Sequence, residues 1–279
     1  MKRFVLLAIA CLACVTAQAQ SAADSLAIVT SKWSTSSPQK GVVYKSLRID
    51  NLYKGPQSIN LIEISRSSKL RLAVAHDNRM RRTSDMAQGH NAAVAINGTF
   101  YNMREGNSTC FYKVDKELID STTAYEAAIR VNGAVHLQGR KVRILDWTRD
   151  IERNYKGNKG TVLAAGPIML EDGCKADWSE CDEGFIKTKH PRSAIYTTRD
   201  GKVVLLTVDG RSSGNAAGMS IPELMPLIRV LGGYDALNLD GGGSTTLWIE
   251  DAGVVNYPCD NKKFDHEGER RVSNCIYAY

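Results

Sequence analysis

The sequence predicts a single α+β domain with a large mixed β-sheet and few helices. Short apolar and β-branched runs recur between turn signals over most of the chain. Only one segment carries a full helix signature from cap to stop. Neither an internal repeat nor a linker divides the 279 residues, a length sufficient for one substantial core.

The elements follow in order. Residues 20–40 are rich in Ser, Thr, Ala and Gln and read as a loose lead-in, so 20–69 comprise the lead-in and first strands. Val42-Val43-Tyr44, Ile59 to Ile64, Leu70 to Ala75 and Ala92 to Ile96 read as strands. Ala127 to Val131 and Ala134 to Leu137 read as a hairpin turned by Asn132-Gly133, and Val142 to Leu145 and Val162 to Ala165 read as further strands. A second hairpin joins Ser193–Thr198 to Val203–Val208 through Asp200-Gly201. The helix begins at Ser220, where Ser and Glu223 have capping-box spacing. It continues through Leu224, Leu227, Ile228 and Leu231, and stops at Gly232-Gly233, with a kink expected at Pro226. Ala236 to Leu239, Thr246 to Glu250 and Val272 to Tyr279 complete the strands.

Composition excludes other classes. The chain is 43% hydrophobic and 24% charged, the balance of a soluble globular protein rather than of a disordered, collagen-like or coiled-coil chain. Its net charge of +6 is spread without a Lys/Arg block of five or more, so no nucleic-acid partner is predicted. Lys2-Arg3, the apolar run Phe4 to Val15 and Ala17-Gln18-Ala19 have the pattern of a secretory signal over residues 1–19. Its removal leaves about 260 residues at a charge near +4. The residues before Cys11 and Cys14 fit a lipid-attachment site poorly, and no later stretch reaches transmembrane length. The expected protein is exported, periplasmic or secreted, with no transmembrane segment. In such a compartment the remaining cysteines read as bridges, Cys174–Cys181 and Cys259–Cys275, with Cys110 left over. No C-x-x-C or H-E-x-x-H motif points to zinc. The acidic loop Glu171 to Glu183 reads first as disulfide-closed and second as a calcium site. No cofactor or metal is predicted.

The chemistry concentrates in three places. Asp240-Gly241-Gly242-Gly243-Ser244-Thr245 lies between two strands, where three glycines weaken a sheet unless backbone must approach a ligand. Its amides and hydroxyls could form an anion nest with Asp240 at the mouth. The segment is neither a Walker A loop nor a nucleophile elbow. The second hairpin brings Arg192 at one end beside Asp209 and Arg211 at the other, and guanidinium forks suit phosphate. Asn97-Gly98-Thr99 ends a strand with polar groups, and Arg270-Arg271 opens the last one; of these, Asn97, Thr99 and Arg271 are taken as substrate-binding.

Together these segments resemble the phosphodiester glycosidase family over roughly Leu70 to Tyr279, making 70–279 the expected catalytic domain. The resemblance rests on Arg192-Ser193-Ala194-Ile195, Val208-Asp209-Gly210-Arg211, Gly218-Met219-Ser220 to Glu223, Asn238 to Ser244, and Arg271-Val272-Ser273-Asn274. Asn97-Gly98-Thr99-Phe100-Tyr101 resembles the family's N-G-G-F-F with Thr99 replacing a glycine, and Tyr196 stands where glycine is expected. The resemblance implies hydrolysis between the anomeric carbon and phosphate oxygen of a sugar-1-phosphodiester in a glycolipid, glycan or envelope polymer. Arg192, Arg211 and the glycine amides would hold the departing phosphate. Asp209 or Asp240 would stabilise the oxocarbenium-like sugar or activate water. The alternatives are P–O cleavage by a phosphodiesterase and a non-catalytic glycan-binding module.

Overall fold

The computed structural model describes residues 22–279; the predicted signal over 1–19, with Cys11 and Cys14, lies outside the described residues. The α+β class, the extensive sheet and the few helices hold. The strand pairs of the described residues are antiparallel rather than mixed, and they divide into three sheets.

The first sheet has eight strands, in the spatial order Ser34–Gln39, Val42–Leu52, Gly55–Ile64, Val203–Val208, Arg192–Thr198, Gly233–Asn238, Ile168–Glu171 and Cys174–Lys175. The second has five, Glu117–Asp120, Tyr112–Val114, Thr161–Ala165, Gly133–Gln138 and Lys141–Asp146. The third also has five, Gly253–Val254, Leu247–Ile249, Val94–Asn97, Arg271–Ala278 and Leu72–Arg82.

One apolar cluster joins all three. Ile62, Ile195, Leu205 and Leu237 of the first sheet meet Val135 and Leu163 of the second and Ile96, Leu247 and Ile276 of the third. Each such side chain contributes about 1.5–3 kcal/mol when fully buried. The other face of the first sheet carries the helix Ile221–Val230, which buries Ile221, Leu224, Leu227 and Ile228 against Tyr196, Val204 and Leu206. Strands buried on both faces are apolar throughout, which explains the unbroken run at Val203–Val208. The helix start is as expected: the Ser220 N–H and hydroxyl both donate to Glu223 at 2.9 Å. The helix runs through Pro226 to Val230.

Three expectations are corrected. Residues 22–40 are not a loose lead-in. A helix over 22–30 buries Ile28 beside Leu47 and Leu52, the Asp24 carboxylate accepts from the Tyr53 N–H at 3.2 Å, and Ser34–Gln39 pairs with the next strand. The strand expected at Ala127 to Val131 is instead the helix Ala124–Ile129. The Thr123 hydroxyl caps it, and Glu126 and Arg130 pair one turn apart. Asn132-Gly133 is therefore a helix-to-strand corner rather than a hairpin, and a Cβ on Gly133 would stand 2.4 Å from Ile168 Cγ1. The two expected disulfides do not form either. Cys275 is enclosed in the third sheet's cluster, whereas Cys259 lies on a loop where its thiol faces the Gly242 carbonyl at 3.7 Å. Cys174 is exposed while Cys181 packs against the helix side of the first sheet, and both are free.

Alkylation of the unfolded, unreduced protein should label Cys110, Cys174, Cys181, Cys259 and Cys275 alike, and dithiothreitol should leave the thermal midpoint unchanged. A mass deficit of two protons, or a midpoint that falls with reductant, would show a bridge.

Candidate active site

Antiparallel register brings the important strand ends to one pole. Arg192 pairs with Val208, so the next residue, Asp209, leaves at the same end. Asn238 pairs with Ala194, and Asp240 follows two residues later at that end. Loops from the other sheets close over this pole. The resulting cavity of about 210 Å³ is lined by Arg130, Phe185, His190, Pro191, Arg192, Arg211, Asp240, Gly241, Gly242, Gly243 and Arg270. It is smaller than the ~300–1,000 Å³ of a drug-sized ligand site. Four guanidinium groups and a histidine therefore surround a single carboxylate.

Asp240 is fixed from several sides. Its N–H donates to the Gly98 carbonyl at 3.0 Å, and its own carbonyl accepts from Asn97 Nδ2 at 2.7 Å. The carboxylate accepts from the Gly241 N–H at 2.9 Å. Burial pushes this carboxyl up to about 6; the Ser244 hydroxyl, Arg130, the Gly241 amide and Arg270 oppose the rise. It is thus a group that changes protonation near neutral pH, as proton-transfer chemistry requires.

The arginines are of two kinds. Arg130 is held by Glu126 through bonds of 2.7 and 2.9 Å and lies 3.7 Å from the Phe100 ring centre, while Arg270 is held by Asp260. Arg192 is 1% exposed, yet its donors reach only backbone carbonyls, those of Met219, Phe185 and Thr188 at 2.8–3.0 Å. Burial, aided by the charge on Arg130, draws its pKa down to about 10, which still leaves it protonated. Arg211 reaches the cavity from a left-handed backbone, φ 61°, beside Gly242. Neither Arg192 nor Arg211 has a carboxylate at ion-pair distance among the described residues. Arg192 is buried, and a buried cation without a partner is unfavourable until an anion arrives, whereas Arg211 remains exposed to water. Burial and the charges on Arg192 and Arg211 lower the pKa of His190, so it stands neutral beside them.

Asp209, Asn97, Thr99, Ser244, Thr245 and Arg271, also predicted from the sequence, do not line the cavity. Asp209 is 1% exposed and saturated. Its carboxylate accepts from Ser58 Oγ at 2.6 Å, Asn60 Nδ2 at 3.1 Å, and Asn256 Nδ2 and the Tyr257 N–H at 2.9 Å each. Burial raises its pKa, against those donors. It pins the loop after Asn256 to the first sheet and does not line the cavity. Asn97 is fully buried; its amide oxygen accepts from Ser193 Oγ at 2.6 Å and the Thr246 N–H at 3.1 Å, so it positions Asp240 instead of meeting a ligand. Thr99 is likewise committed, its hydroxyl donating to the Ala164 carbonyl at 2.5 Å. Ser244 and Thr245 are buried beneath the turn. Arg271 is exposed and opens the last strand opposite Arg82, whereas its neighbour Arg270 precedes that strand, is held by Asp260 and lines the cavity.

The glycines also act differently from an anion nest. The Gly241 N–H is taken by the Asp240 carboxylate and the Gly242 N–H by the Pro191 carbonyl, which leaves the Gly243 amide. What requires glycine is close packing: a Cβ would stand 2.5 Å from the Pro191 carbonyl at Gly241 and 2.4 Å from Arg270 at Gly243. Arg130, Arg270 and His190 are the site residues absent from the sequence assignment. The Glu126–Arg130 spacing was the signal for the first, read there as a strand.

Comparison with known proteins identifies the family and the fold. The profile of the family described as Phosphodiester glycosidase matches residues 90–279. N-acetylglucosamine-1-phosphodiester alpha-N-acetylglucosaminidase of Mus musculus is 25% identical over 194 residues, 66% of this chain and 36% of that protein. An SPbeta prophage-derived uncharacterized protein of Bacillus subtilis (strain 168) is 38% identical over 110 residues, 39% of this chain and 17% of that one. The chain therefore spans about a third of the mouse relative's length and less of the bacterial one. In fold it is similar to the solved catalytic domain of the zebrafish N-acetylglucosamine-1-phosphodiester alpha-N-acetylglucosaminidase, with TM-score 0.67 at 16% identity, covering 89% of this chain and 87% of that one.

The two aspartates should respond oppositely to amidation. The Asp240 carboxyl titrates at about 6 when folded, above its ordinary value of ~3.9. Its burial thus costs nothing electrostatic while it is protonated, and stability is lost as pH rises through about 6. Asp240→Asn should be more stable than wild type by about 2–3 kcal/mol at neutral pH, with the difference vanishing near pH ~4. Asp209→Asn turns an amide N–H₂ toward donors and should lose about 2 kcal/mol or more. Urea unfolding at both pH values measures this; a wild type more stable than Asp240→Asn at neutral pH would contradict it.

Proposed function

The chain belongs to the phosphodiester glycosidase family, and from that premise we propose that it hydrolyses the glycosidic bond of a sugar-1-phosphodiester, of the N-acetylglucosamine-1-phosphodiester kind, to free sugar and a phosphomonoester. The observation that carries this reading is the lone Asp240 carboxylate within a ring of four arginines, two of them without a carboxylate partner.

The chemistry follows from the residues. Arg192 and Arg211 bind the phosphodiester anion by charge-assisted hydrogen bonds, and the small cavity admits the phosphoryl group with the adjoining sugar carbon. The bond from the anomeric carbon to the bridging oxygen breaks and its electron pair passes to that oxygen. Charge then grows on the phosphate, where the positive charge of the guanidinium groups lining the cavity stabilises it. A phosphate leaving group needs little protonation, so the site can work without the strong general acid of ordinary glycoside hydrolysis. Water supplies the hydroxyl at the anomeric carbon, and Asp240 as carboxylate stabilises the cationic sugar and accepts the water's proton. The leader pattern at residues 1–19 supports an exported protein acting on a glycolipid, glycan or envelope polymer. Among the described residues no helix is long and apolar enough to cross a membrane.

With N-acetylglucosamine-1-phosphodiester as substrate, Asp240→Asn should lower kcat by about 10²–10⁴-fold while the protein stays folded. Arg211→Ala should lower kcat/KM by about 10–100-fold, the loss of one charge-assisted contact. In wild type kcat/KM should rise with pH through an apparent pKa near 6. A wild-type rate in Asp240→Asn would remove this residue from the mechanism.

A further inference from the structure

A second concentration of positive charge lies at the opposite pole of the same strands. Arg66, Arg140, Lys141, Arg143 and Arg199 line a cavity of about 650 Å³, with Asp235 as its one carboxylate. The strand Arg192–Thr198 has the catalytic cavity at its first residue and this one at its last, which at ~3.3 Å per residue places them roughly 20 Å apart.

None of the five cations forms an ion pair among the described residues, although Lys45, Lys202 and other surface cations do. Three of them are oriented by groups other than carboxylates. Arg140 donates to the Ser68 carbonyl at 3.4 Å, and Arg199 lies 5.2 Å from the Tyr234 ring centre. Arg143 stands 3.5 Å from Nδ1 of the mostly buried His136, whose Nε2 faces the Lys159 carbonyl at 3.0 Å. Such partners orient a guanidinium without neutralising it. Asp235 is engaged by the Asp172 N–H at 3.0 Å.

The simplest competing account is protection of a sheet edge. Lys141–Asp146 is an edge strand, and charges on an edge discourage pairing with other chains. That accounts for Lys141 and Arg143. It does not account for Arg66 and Arg199, which come from turns of a different sheet and converge on the same cavity. The one aromatic ring in the lining, Tyr234, is covered by Arg199, so no platform is left on which bases would stack.

We infer that this pole is a docking surface for a linear phosphate-bearing polyanion, recognised through its charge, separate from the catalytic cavity. It holds the protein on a phosphate-rich polymer while the other pole stays open. The inference needs no turnover and stands whether or not the catalytic reading does.

The test is binding of labelled short-chain inorganic polyphosphate to the full chain by fluorescence anisotropy across a salt series. Wild type should bind with an affinity that falls log-linearly with salt. Arg66→Glu/Arg140→Glu/Arg143→Glu together should weaken binding at least ~10-fold at low salt and reduce the slope by about 2–3. The unfolding midpoint should not change, since all three side chains are exposed. Lys141→Glu/Arg199→Glu, an independent pair, should weaken binding in the same direction, whereas Arg211→Ala in the catalytic cavity should leave it intact. Wild-type binding by both charge-reversed variants would overturn the inference, as would a loss caused by Arg211→Ala alone. It would also be overturned by clearly tighter binding of a single-stranded oligonucleotide of equal charge, or by binding to phosphatidylglycerol vesicles without binding to polyphosphate.

Discussion

The candidate site depends on one buried amide. Asn97 ends a strand of the third sheet, and its side chain reaches the Asp240 carbonyl, the Ser193 hydroxyl of the first sheet and the Thr246 N–H. Each bond contributes about 1 kcal/mol net, but leaving its buried partner unsatisfied costs about 1–3 kcal/mol. The three together set where two sheets meet and hence where Asp240 stands. Asp240 strengthens the junction by donating its N–H to the Gly98 carbonyl at 3.0 Å. A buried residue outside the cavity lining thus fixes the one carboxylate within it.

Charge explains why the junction must be rigid. Arg130 and Arg270 are each balanced by a carboxylate behind them, while Arg192 and Arg211 are not. Four guanidinium groups converging on one acid repel one another, and burial raises the acid as well. A flexible backbone would relax by turning these groups to water. Here the hydrogen bonds of Arg192 to three carbonyls and the close-packed glycine turn prevent it. Under the proposed function, the negative charge of a phosphodiester would relieve this strain, the arrangement expected of a preorganised site.

Much of this was legible in the sequence, for reasons that are local. The Asp200-Gly201 turn set the register that gathers Arg192 and Asp209 at one pole, and the Ser220–Glu223 spacing marked the helix behind them. What the sequence does not reveal depends on contacts distant in it. Asp209 leaves the right strand end, but its partners Ser58 and Asn60 lie about 150 residues upstream and hold its carboxylate outside the cavity lining. Arg270 and Arg271 differ by one residue, and the ion pair of Arg270 with Asp260, on a loop ten residues upstream, holds it at the cavity while Arg271 enters the strand. Arg130 was hidden because an apolar run short enough for a strand was read as one. The cysteines were paired by proximity in sequence, which says nothing of where the thiols lie.

The central claim is that a water attacks the anomeric carbon beside Asp240 while the arginines hold the departing phosphate. Hydrolysis of N-acetylglucosamine-1-phosphodiester in water enriched in oxygen-18, followed by mass spectrometry of both products, tests it most directly. The account predicts the label at the anomeric hydroxyl of the released sugar and an unlabelled phosphomonoester. Label in the phosphate would mean that the P–O bond is cut, and would contradict it.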